Sequence, residues 1–313
     1  MRDLLEYVAG WFLLRFLGAM PRPLARGLAA GLAHLLYGAT PRFRAIADQN
    51  VQMALPELSA SERRAIVRGV YRSLGRQLAE CARFPRLTRE NIHEFVTYDG
   101  LEHYQAAVAR GRGVLFLTAH LGPWELGAFA HALYGYPIHI LYRPLDNPRL
   151  DRLVNRYRTL SGNQLIDKRD AARGLIAALS RNETVGILAD QNTSLEEGVF
   201  VHFFGIPAST TAGIARVALH TGAAVVPAFC VWDASSRRYR IQFDPPLEFA
   251  VSANREKDIR AATQQMASVI ERYIRRYPDQ WLWIHRRWKT RPPGEPPLYS
   301  EVPTTKAQRH KGV

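Results

Sequence analysis

Short apolar runs alternate with helical patterns through the middle of this chain, and this alternation restricts the folds open to it. Four of the runs have the length of buried strands: 113–119, 137–142, 184–189 and 223–231. Strands that are separated by helices run parallel, because the helix returns the chain to the same end of the sheet. The sequence therefore predicts an α/β fold with a mostly parallel central sheet flanked by helices.

Helices are predicted where apolar residues recur every three or four positions. These segments are 59–83, 123–134, 147–160, 171–181, 210–221 and 257–277. Ser59 and Glu62 have the spacing of a capping box, which predicts the start of the first helix. The run 239–243 is predicted to be an edge strand.

The chain carries a net charge of +14, from 42 basic and 28 acidic residues among 313. Nearly all the basic residues are arginine, which binds phosphate and carboxylate groups bidentately, although a genome rich in G and C produces the same bias. The charge predicts an acidic partner: an anionic membrane, a phosphorylated substrate, an acidic carrier protein or a nucleic acid. The ordinary shares of apolar and charged residues, 47% and 22%, exclude disorder and a collagen-like chain.

Residues 1–38 are predicted to be a retained, membrane-associated anchor. Residues 4–20 are nearly all apolar, but Glu6 and Arg15 interrupt them on opposite sides of a helix. The segment therefore resembles neither a clean spanning helix nor a clean amphipathic one. Arginines follow closely, and positive charge beside an apolar segment stays on the cytoplasmic side. A pair of buried core helices is the alternative.

The rest of the chain is predicted to divide into a catalytic domain, residues 39–291, and a flexible tail, residues 292–313. The tail contains five prolines and has no apolar periodicity. Cys81 and Cys230 belong to no CxxC pair, and we expect both to be buried thiols without a catalytic role.

His120 follows the first apolar strand directly, so it is expected at the edge where open α/β sheets place their sites. Pro123 suits the first turn of a helix, which places Glu125 near that helix's N-terminus. A turn between them brings the carboxylate back to one imidazole nitrogen and leaves the other free to take a proton from a hydroxyl. This arrangement suits direct attack of an alcohol on a thioester. A helix-capping glutamate and an ordinary loop histidine are the alternatives.

Asp190 follows another buried strand, 184–189, and in a parallel sheet it reaches the same edge as His120. A turn or helix-capping role is equally open for this aspartate. For Arg143 and Arg158, a solvated charge on a helix or loop is the simpler interpretation from the residues alone, because the chain has 37 arginines.

Several blocks of the sequence together resemble a known family, the lipid A biosynthesis acyltransferases that add lauroyl and myristoyl chains. The His-x4-Glu block also resembles the HX4D/E motif of the wider glycerolipid acyltransferase superfamily. The matching blocks run in order along the chain: His120–Glu125, Leu141–Pro148, Arg156–Arg158, Ile187–Gln191, Phe203–Thr211 and Trp281–Pro293. Each block is weak alone, and their order makes the resemblance specific.

The resemblance implies that residues 39–291 form an acyltransferase domain with His120 as general base and Glu125 as the residue that holds and polarises it. It also implies a set of substrate-binding residues: Arg143, Arg158, Asp190 and Gln191. Neither a cofactor nor a metal is implied.

The same resemblance implies an acyl thioester donor, with acyl carrier protein favoured over coenzyme A, and a hydroxyl of a lipid A precursor as acceptor. The enzyme would contact anionic lipids on the cytoplasmic face of the inner membrane. An acyltransferase that acts on another glycolipid or a lysophospholipid is the main alternative. Only the charge supports a nucleic-acid-binding protein, so no nucleic acid partner is expected, and a serine hydrolase lacks its Gly-x-Ser-x-Gly motif.

The apolar substrate requires a groove, and several aromatic residues are candidates for its lining, although plain core positions are the more ordinary interpretation. They are Trp124, Phe129, Tyr134, Phe200, Phe203 and Phe204. Near the C-terminus, Arg286, Arg287 and Lys289 are predicted to belong to a basic surface for lipid phosphates or an acidic carrier.

Overall fold

The computed structural model describes residues 1–299, and its centre is a seven-stranded sheet with the order β1-β9-β8-β2-β5-β3-β4. A separate hairpin is formed by β6 and β7. The strands are β1 (Val96–Asp99), β2 (Val114–Thr118), β3 (His139–Tyr142), β4 (Gln164–Asp167), β5 (Thr184–Leu188), β6 (Gly198–Phe203), β7 (Ile206–Thr211), β8 (Ala224–Asp233) and β9 (Arg238–Phe243). The five strands from β8 to β4 are parallel, and β9 runs antiparallel to β8. The predicted α/β fold with a mostly parallel sheet is confirmed.

Helices cover both faces of this sheet. They are α1 (Arg2–Ala19), α2 (Arg22–Ala39), α3 (Pro41–Ala54), α4 (Ala60–Ala82), α5 (Leu101–Ala109), α6 (Trp124–Leu133), α7 (Pro148–Thr159), α8 (Ala171–Ser180), α9 (Gly213–Thr221) and α10 (Arg255–Arg276). The predicted capping box is present at the start of α4, where the Ser59 and Glu62 side chains each bond the other residue's backbone nitrogen.

Two details of the predicted element order were wrong. The strand β9 is not at the edge of the sheet, because β1 pairs outside it in parallel. The predicted helix 210–221 begins only at Gly213, since residues 206–211 form strand β7. Phe204 and Gly205 both have positive φ, +53° and +74°, which gives the two-residue turn that joins β6 to β7.

The sheet is buried on both faces. Along β2, Leu115 and Leu117 pack into one core with α3, α4 and α8 to α10, whereas Val114 and Phe116 pack into the other with α5 and α6. A strand that is apolar on both faces reads as a continuous apolar run, which is why the sequence reveals β2 so clearly.

The N-terminal helices α1 and α2 pack on α4, with many apolar side chains left exposed. The exposed residues of α1 include Leu5, Val8, Phe12 and Phe16, spaced three or four apart, while Leu17 is its one buried residue. The two helices are therefore not a buried core pair. Within residues 1–299, no helix combines the length and the apolar character that crossing a membrane requires.

A buried carboxylate joins α2 to α4 and to strand β9. Glu80 of α4 is fully buried and accepts hydrogen bonds from Arg22 and Arg26, at 2.9 and 2.8 Å for the shortest contact of each. The Tyr239 hydroxyl of β9 donates to the same carboxylate at 3.2 Å. Helix α2, helix α4 and strand β9 are therefore joined at the Glu80 carboxylate.

Most of the predicted flexible tail, from residue 300 onward, lies outside the described residues. Just before that point the chain is fixed: the buried Tyr299 donates its hydroxyl to Asn50 Oδ1 at 2.6 Å.

Candidate active site

His120 and Asp190 meet at the carboxyl edge of the sheet, as the sequence predicted. The strands β2 and β5 are parallel neighbours with Thr118 opposite Leu188, and each site residue follows its strand by two positions. The His120 Nδ1 lies 2.8 Å from Asp190 Oδ1, and the His120 backbone N–H donates to Asp190 Oδ2 at 3.0 Å. The carboxylate therefore fixes both the ring and the backbone of the histidine.

A tryptophan near the C-terminus completes the bonding of this carboxylate. Trp281 Nε1 donates to Asp190 Oδ2 at 2.7 Å, and the backbone N–H of Leu282 donates to the His120 carbonyl at 3.0 Å. Asp190 is only 2% exposed. Burial opposes its charge, but the charge of His120 and the hydrogen bonds outweigh burial, so the pKa of Asp190 is lowered. Burial also opposes the charge of His120, but the charge of Asp190 and its hydrogen bond outweigh burial, so the pKa of His120 is raised above its ordinary 6.5.

The contact with Asp190 determines which nitrogen of His120 is free. The carboxylate can only accept, so the 2.8 Å contact places a ring proton on Nδ1. The other nitrogen, Nε2, has the Gln191 side-chain amide 3.4 Å away, at the long limit of a hydrogen bond, and in the neutral ring it carries a lone pair. A histidine in this state can accept a proton at Nε2.

The expectation that Glu125 orients His120 was wrong, because Asp190 takes that position. Glu125 instead pairs bidentately with Arg158 of α7: Nε donates to Oε2 at 2.9 Å and Nη2 to Oε1 at 2.5 Å. Both side chains are less than one-fifth exposed. Burial opposes the Arg158 charge, but the hydrogen bonds and charge of Glu125 outweigh it and raise the pKa of Arg158.

The predicted substrate-binding residues thus separate into two groups. Asp190, Gln191 and Arg158 lie within the site, together with Glu125. Arg143 lies in the loop after β3, is 79% exposed at its side chain, and is 3.6 Å from Asp146. It lines the mouth of the site rather than its interior, so it can meet only a part of the substrate that remains near solvent.

A cavity of about 490 Å³ opens beside His120. At its mouth lie polar and charged side chains: His120, Glu125, Arg143, Arg158, Lys168 and Gln191. Its interior continues under α6 between apolar side chains of β2, β8 and β9, among them Phe116, Ala228, Cys230, Ile241 and Phe243. A cavity of this size and lining suits a flexible apolar chain with a polar head.

Most of the aromatic residues predicted to line such a groove lie outside the cavity lining. Trp124 lines the cavity, with its ring centroid 5.0 Å from that of His120. Phe129, Phe203 and Phe204 are buried in the two cores. The more ordinary interpretation, plain core positions, therefore holds for these three, because aromatic content alone does not distinguish a groove from a core.

The block Trp281–Pro293 supports the site through contacts that its sequence did not predict. His285 Nε2 accepts the backbone N–H of Asn192 at 3.0 Å, and Thr290 exchanges hydrogen bonds with the Asn192 side chain. These contacts fix the loop that carries Asp190. Arg287, predicted at a basic surface, is only 1% exposed and donates to the Ser209 carbonyl and Thr210 Oγ1.

The two thiols are poor candidates for a nucleophile. Burial raises the pKa of both Cys81 and Cys230, which keeps them protonated near neutral pH. Cys230 does line the cavity that holds His120, which its position in the sequence did not indicate. Fold and site together define an α/β enzyme in which a His–Asp pair, with the aspartate buried, can deprotonate a hydroxyl beside an apolar cavity.

Comparison with known proteins agrees with this description. The chain belongs to the bacterial lipid A biosynthesis acyltransferase family, whose model matches residues 2–290, and it is therefore an acyltransferase. The resemblance found in the sequence blocks is confirmed.

Individual relatives extend over nearly the whole chain. The lipid A biosynthesis lauroyltransferase of Escherichia coli K12 is 31% identical over 286 residues, 90% of each chain. The palmitoleoyltransferase of the same organism is also 31% identical, over 94% of this chain and 90% of its own. Its myristoyltransferase is 28% identical, over 82% of this chain and 78% of its own.

Proposed function

We propose that this protein transfers a fatty acyl chain from an acyl thioester to a hydroxyl of a lipid A precursor, with His120 as the general base. The observation that carries this proposal is the His120–Asp190 pair at the mouth of an apolar cavity. Family membership supports the pathway, and the relatives bear the names of lauroyl, palmitoleoyl and myristoyl transferases.

In the proposed reaction the acceptor hydroxyl replaces Gln191 at His120 Nε2. As the hydroxyl oxygen attacks the thioester carbonyl, its proton passes to Nε2, and Asp190 stabilises the imidazolium that forms. The tetrahedral intermediate then expels the thiolate, which takes that proton from His120 to leave as a free thiol. The acyl chain ends as an ester of the acceptor, and no protein nucleophile is required.

Two exposed cations that line the cavity suit a charged group of the acceptor. Arg143 follows β3 and lies 3.6 Å from the exposed Asp146, and Lys168 follows β4 and pairs with the exposed Glu197 at 2.9 Å. Both pairs are open to solvent, so a phosphate of the acceptor can replace the carboxylate. Arg158 is committed to Glu125, so we assign that pair to shaping the site around the hydroxyl rather than to a free anion-binding position.

We propose acyl carrier protein as the donor's carrier. Such carriers are acidic, and the enzyme's net charge of +14 favours their approach at long range. Coenzyme A remains the alternative carrier. A lysophospholipid or another glycolipid is the alternative acceptor, because it offers the same hydroxyl chemistry.

We also propose that α1 and α2 lie in the interface of the inner membrane on its cytoplasmic side. Exposed Trp11, Phe12 and Phe16 would enter the acyl region, and exposed Arg42 and Arg15 would meet anionic head groups. Interfacial binding requires an apolar face and nearby cations, not a spanning helix. The acceptor is itself a membrane lipid, which supports this placement.

Two measurements test the function. Purified enzyme is assayed for transfer from acyl carrier protein and coenzyme A thioesters to a lipid A precursor and to a lysophospholipid. Mass spectrometry of lipid A then compares a deletion strain with the same strain complemented by wild type or by His120→Ala. Loss of one acyl chain, restored only by wild type, supports the proposal; intact lipid A with altered phospholipid favours the alternative acceptor.

A further inference from the structure

A histidine lies in the apolar interior of the cavity, away from the reacting end. His131 shares one face of α6 with Trp124 and Ala128, at positions i, i+4 and i+7, and all three line the cavity. Seven residues correspond to about 10 Å along a helix. The face therefore leads from Trp124, beside His120, into the interior near Phe116 and Phe243.

The surroundings of His131 are almost wholly aromatic. Its ring stacks on Tyr136 at 5.2 Å between centroids and lies against Tyr104, Phe116 and Phe243. The side chain is 2% exposed, and its Nδ1 lies 2.7 Å from the Tyr98 hydroxyl. Its Nε2 finds no hydrogen-bond partner among residues 1–299. Burial lowers the pKa of His131 to about 3, so the ring is neutral.

This arrangement is costly for the fold and needs a reason. A buried polar atom without a partner destabilises the folded state, and native proteins hold few of them. A phenylalanine or methionine in this aromatic cluster would avoid the cost. His131 lines the cavity together with Phe116 and Phe243, so the apolar interior has a polar side chain in its wall, and a ligand that reaches this depth ends against it.

We propose that His131 sets the length of acyl chain that the cavity accepts. The inference rests on the proposed function, which assigns the cavity to the acyl chain. The chain enters beside His120, runs along the α6 face past Ala128, and ends with its terminal methyl at the imidazole. A longer chain places further methylenes against the polar edge of the ring, and methylenes cannot form a hydrogen bond with it, so binding of the longer chain is disfavoured. A shorter chain leaves apolar wall uncovered.

A pair of substitutions separates polarity from size, because methionine and glutamine have nearly the same shape. We expect His131→Met to raise kcat/KM for the next longer even-numbered chain, relative to the chain that wild type prefers, by about tenfold. We expect His131→Gln to keep the wild-type preference. The probes are acyl carrier protein thioesters of a saturated even-numbered series. His139→Met is the matched control, since His139 is another buried histidine, on β3, outside the cavity lining.

A second probe reports on the polar atom directly. A thioester with a terminal hydroxyl on the preferred chain can bond His131 Nε2, so wild type should use it better than His131→Met does. Equal shifts in the Met and Gln variants, or no shift in either, would overturn the proposal. Failure of the wild type to transfer any chain would instead count against the proposed function.

A third measurement needs no variant and covers the case in which His131→Met does not fold. A preferred-length thioester with a photoreactive group at its terminal carbon is irradiated with wild-type enzyme. Labelling of His131 or of its aromatic neighbours is expected. Labelling confined to the cavity mouth or to the protein surface would overturn the proposal.

Discussion

Asp190 forms two hydrogen bonds with His120, one carboxylate oxygen with the ring Nδ1 and the other with the backbone N–H. Both residues follow parallel neighbouring strands, so the register of β2 with β5 sets their spacing. The proposed general base is therefore oriented by the sheet itself rather than by the helix that follows it.

We expect His120→Ala to lower acyl transfer by about two to four orders of magnitude, because the base that takes the hydroxyl proton is lost. Asp190→Asn should lower it by at least about two orders of magnitude, since the amide cannot stabilise an imidazolium by charge. Steady-state transfer assays and melting temperatures check both. Folded variants with near wild-type rates would remove these residues from the site.

The pH dependence should follow the raised pKa of His120. The base works only when neutral, so activity is lost as pH falls through that pKa, which lies above the ordinary 6.5. We expect the acid limb of the kcat/KM profile to lie above 6.5 in wild type and to move downward in Asp190→Asn, where the larger of the two raising charges, Asp190 and Glu125, is gone. An acid limb that stays in place in this variant would contradict the assignment.

Trp281→Phe should lower activity by about tenfold, because a hydrogen bond to a charged group contributes about 1.5–3 kcal/mol. The loss of the indole donor makes Asp190 more basic, so the acid limb should also move upward. Trp283→Phe is the matched control, since Trp283 is equally buried but donates to the Pro278 carbonyl. Equal changes in both variants would mean that Trp281 only supports the fold.

Arg158→Lys is expected to lose at least about tenfold in activity, because lysine lacks the planar fork that meets both oxygens of Glu125. Arg158→Met should be worse and should cost about 3 kcal/mol of stability, since it leaves a largely buried carboxylate unpaired. Transfer assays and thermal unfolding check both changes. A fully active Arg158→Lys enzyme would place this pair outside the chemistry.

Membrane binding can be tested with the double variant Trp11→Ser and Phe16→Ser. We expect it to bind anionic phospholipid vesicles at least about tenfold more weakly, because two large apolar side chains no longer enter the lipid. Val251→Ser is the control, as Val251 is 79% exposed but lies far along the chain, before α10. Unchanged vesicle binding in the double variant would refute the interfacial position of α1.

The sequence predicted the sheet and the edge on which the site lies, because buried parallel strands appear as uninterrupted apolar runs. It located His120 and Asp190 by the same reasoning. It misassigned the partner of His120, because five positions across a turn limit the distance of Glu125 but not the direction of its side chain. The bonds from Trp281 and His285 join residues more than ninety positions apart, and nothing local in the sequence encodes them.

The fully buried Glu80 has a practical consequence for work with the purified protein. An enzyme with an exposed apolar helix pair invites removal of residues 1–38 to make it easier to handle. That shortened chain would lose Arg22 and Arg26, which bond Glu80, and would uncover the apolar face of α4 on which α2 packs. Exposure of that face favours aggregation of the purified protein. Detergents or lipid nanodiscs around the intact chain are the better route to a stable preparation.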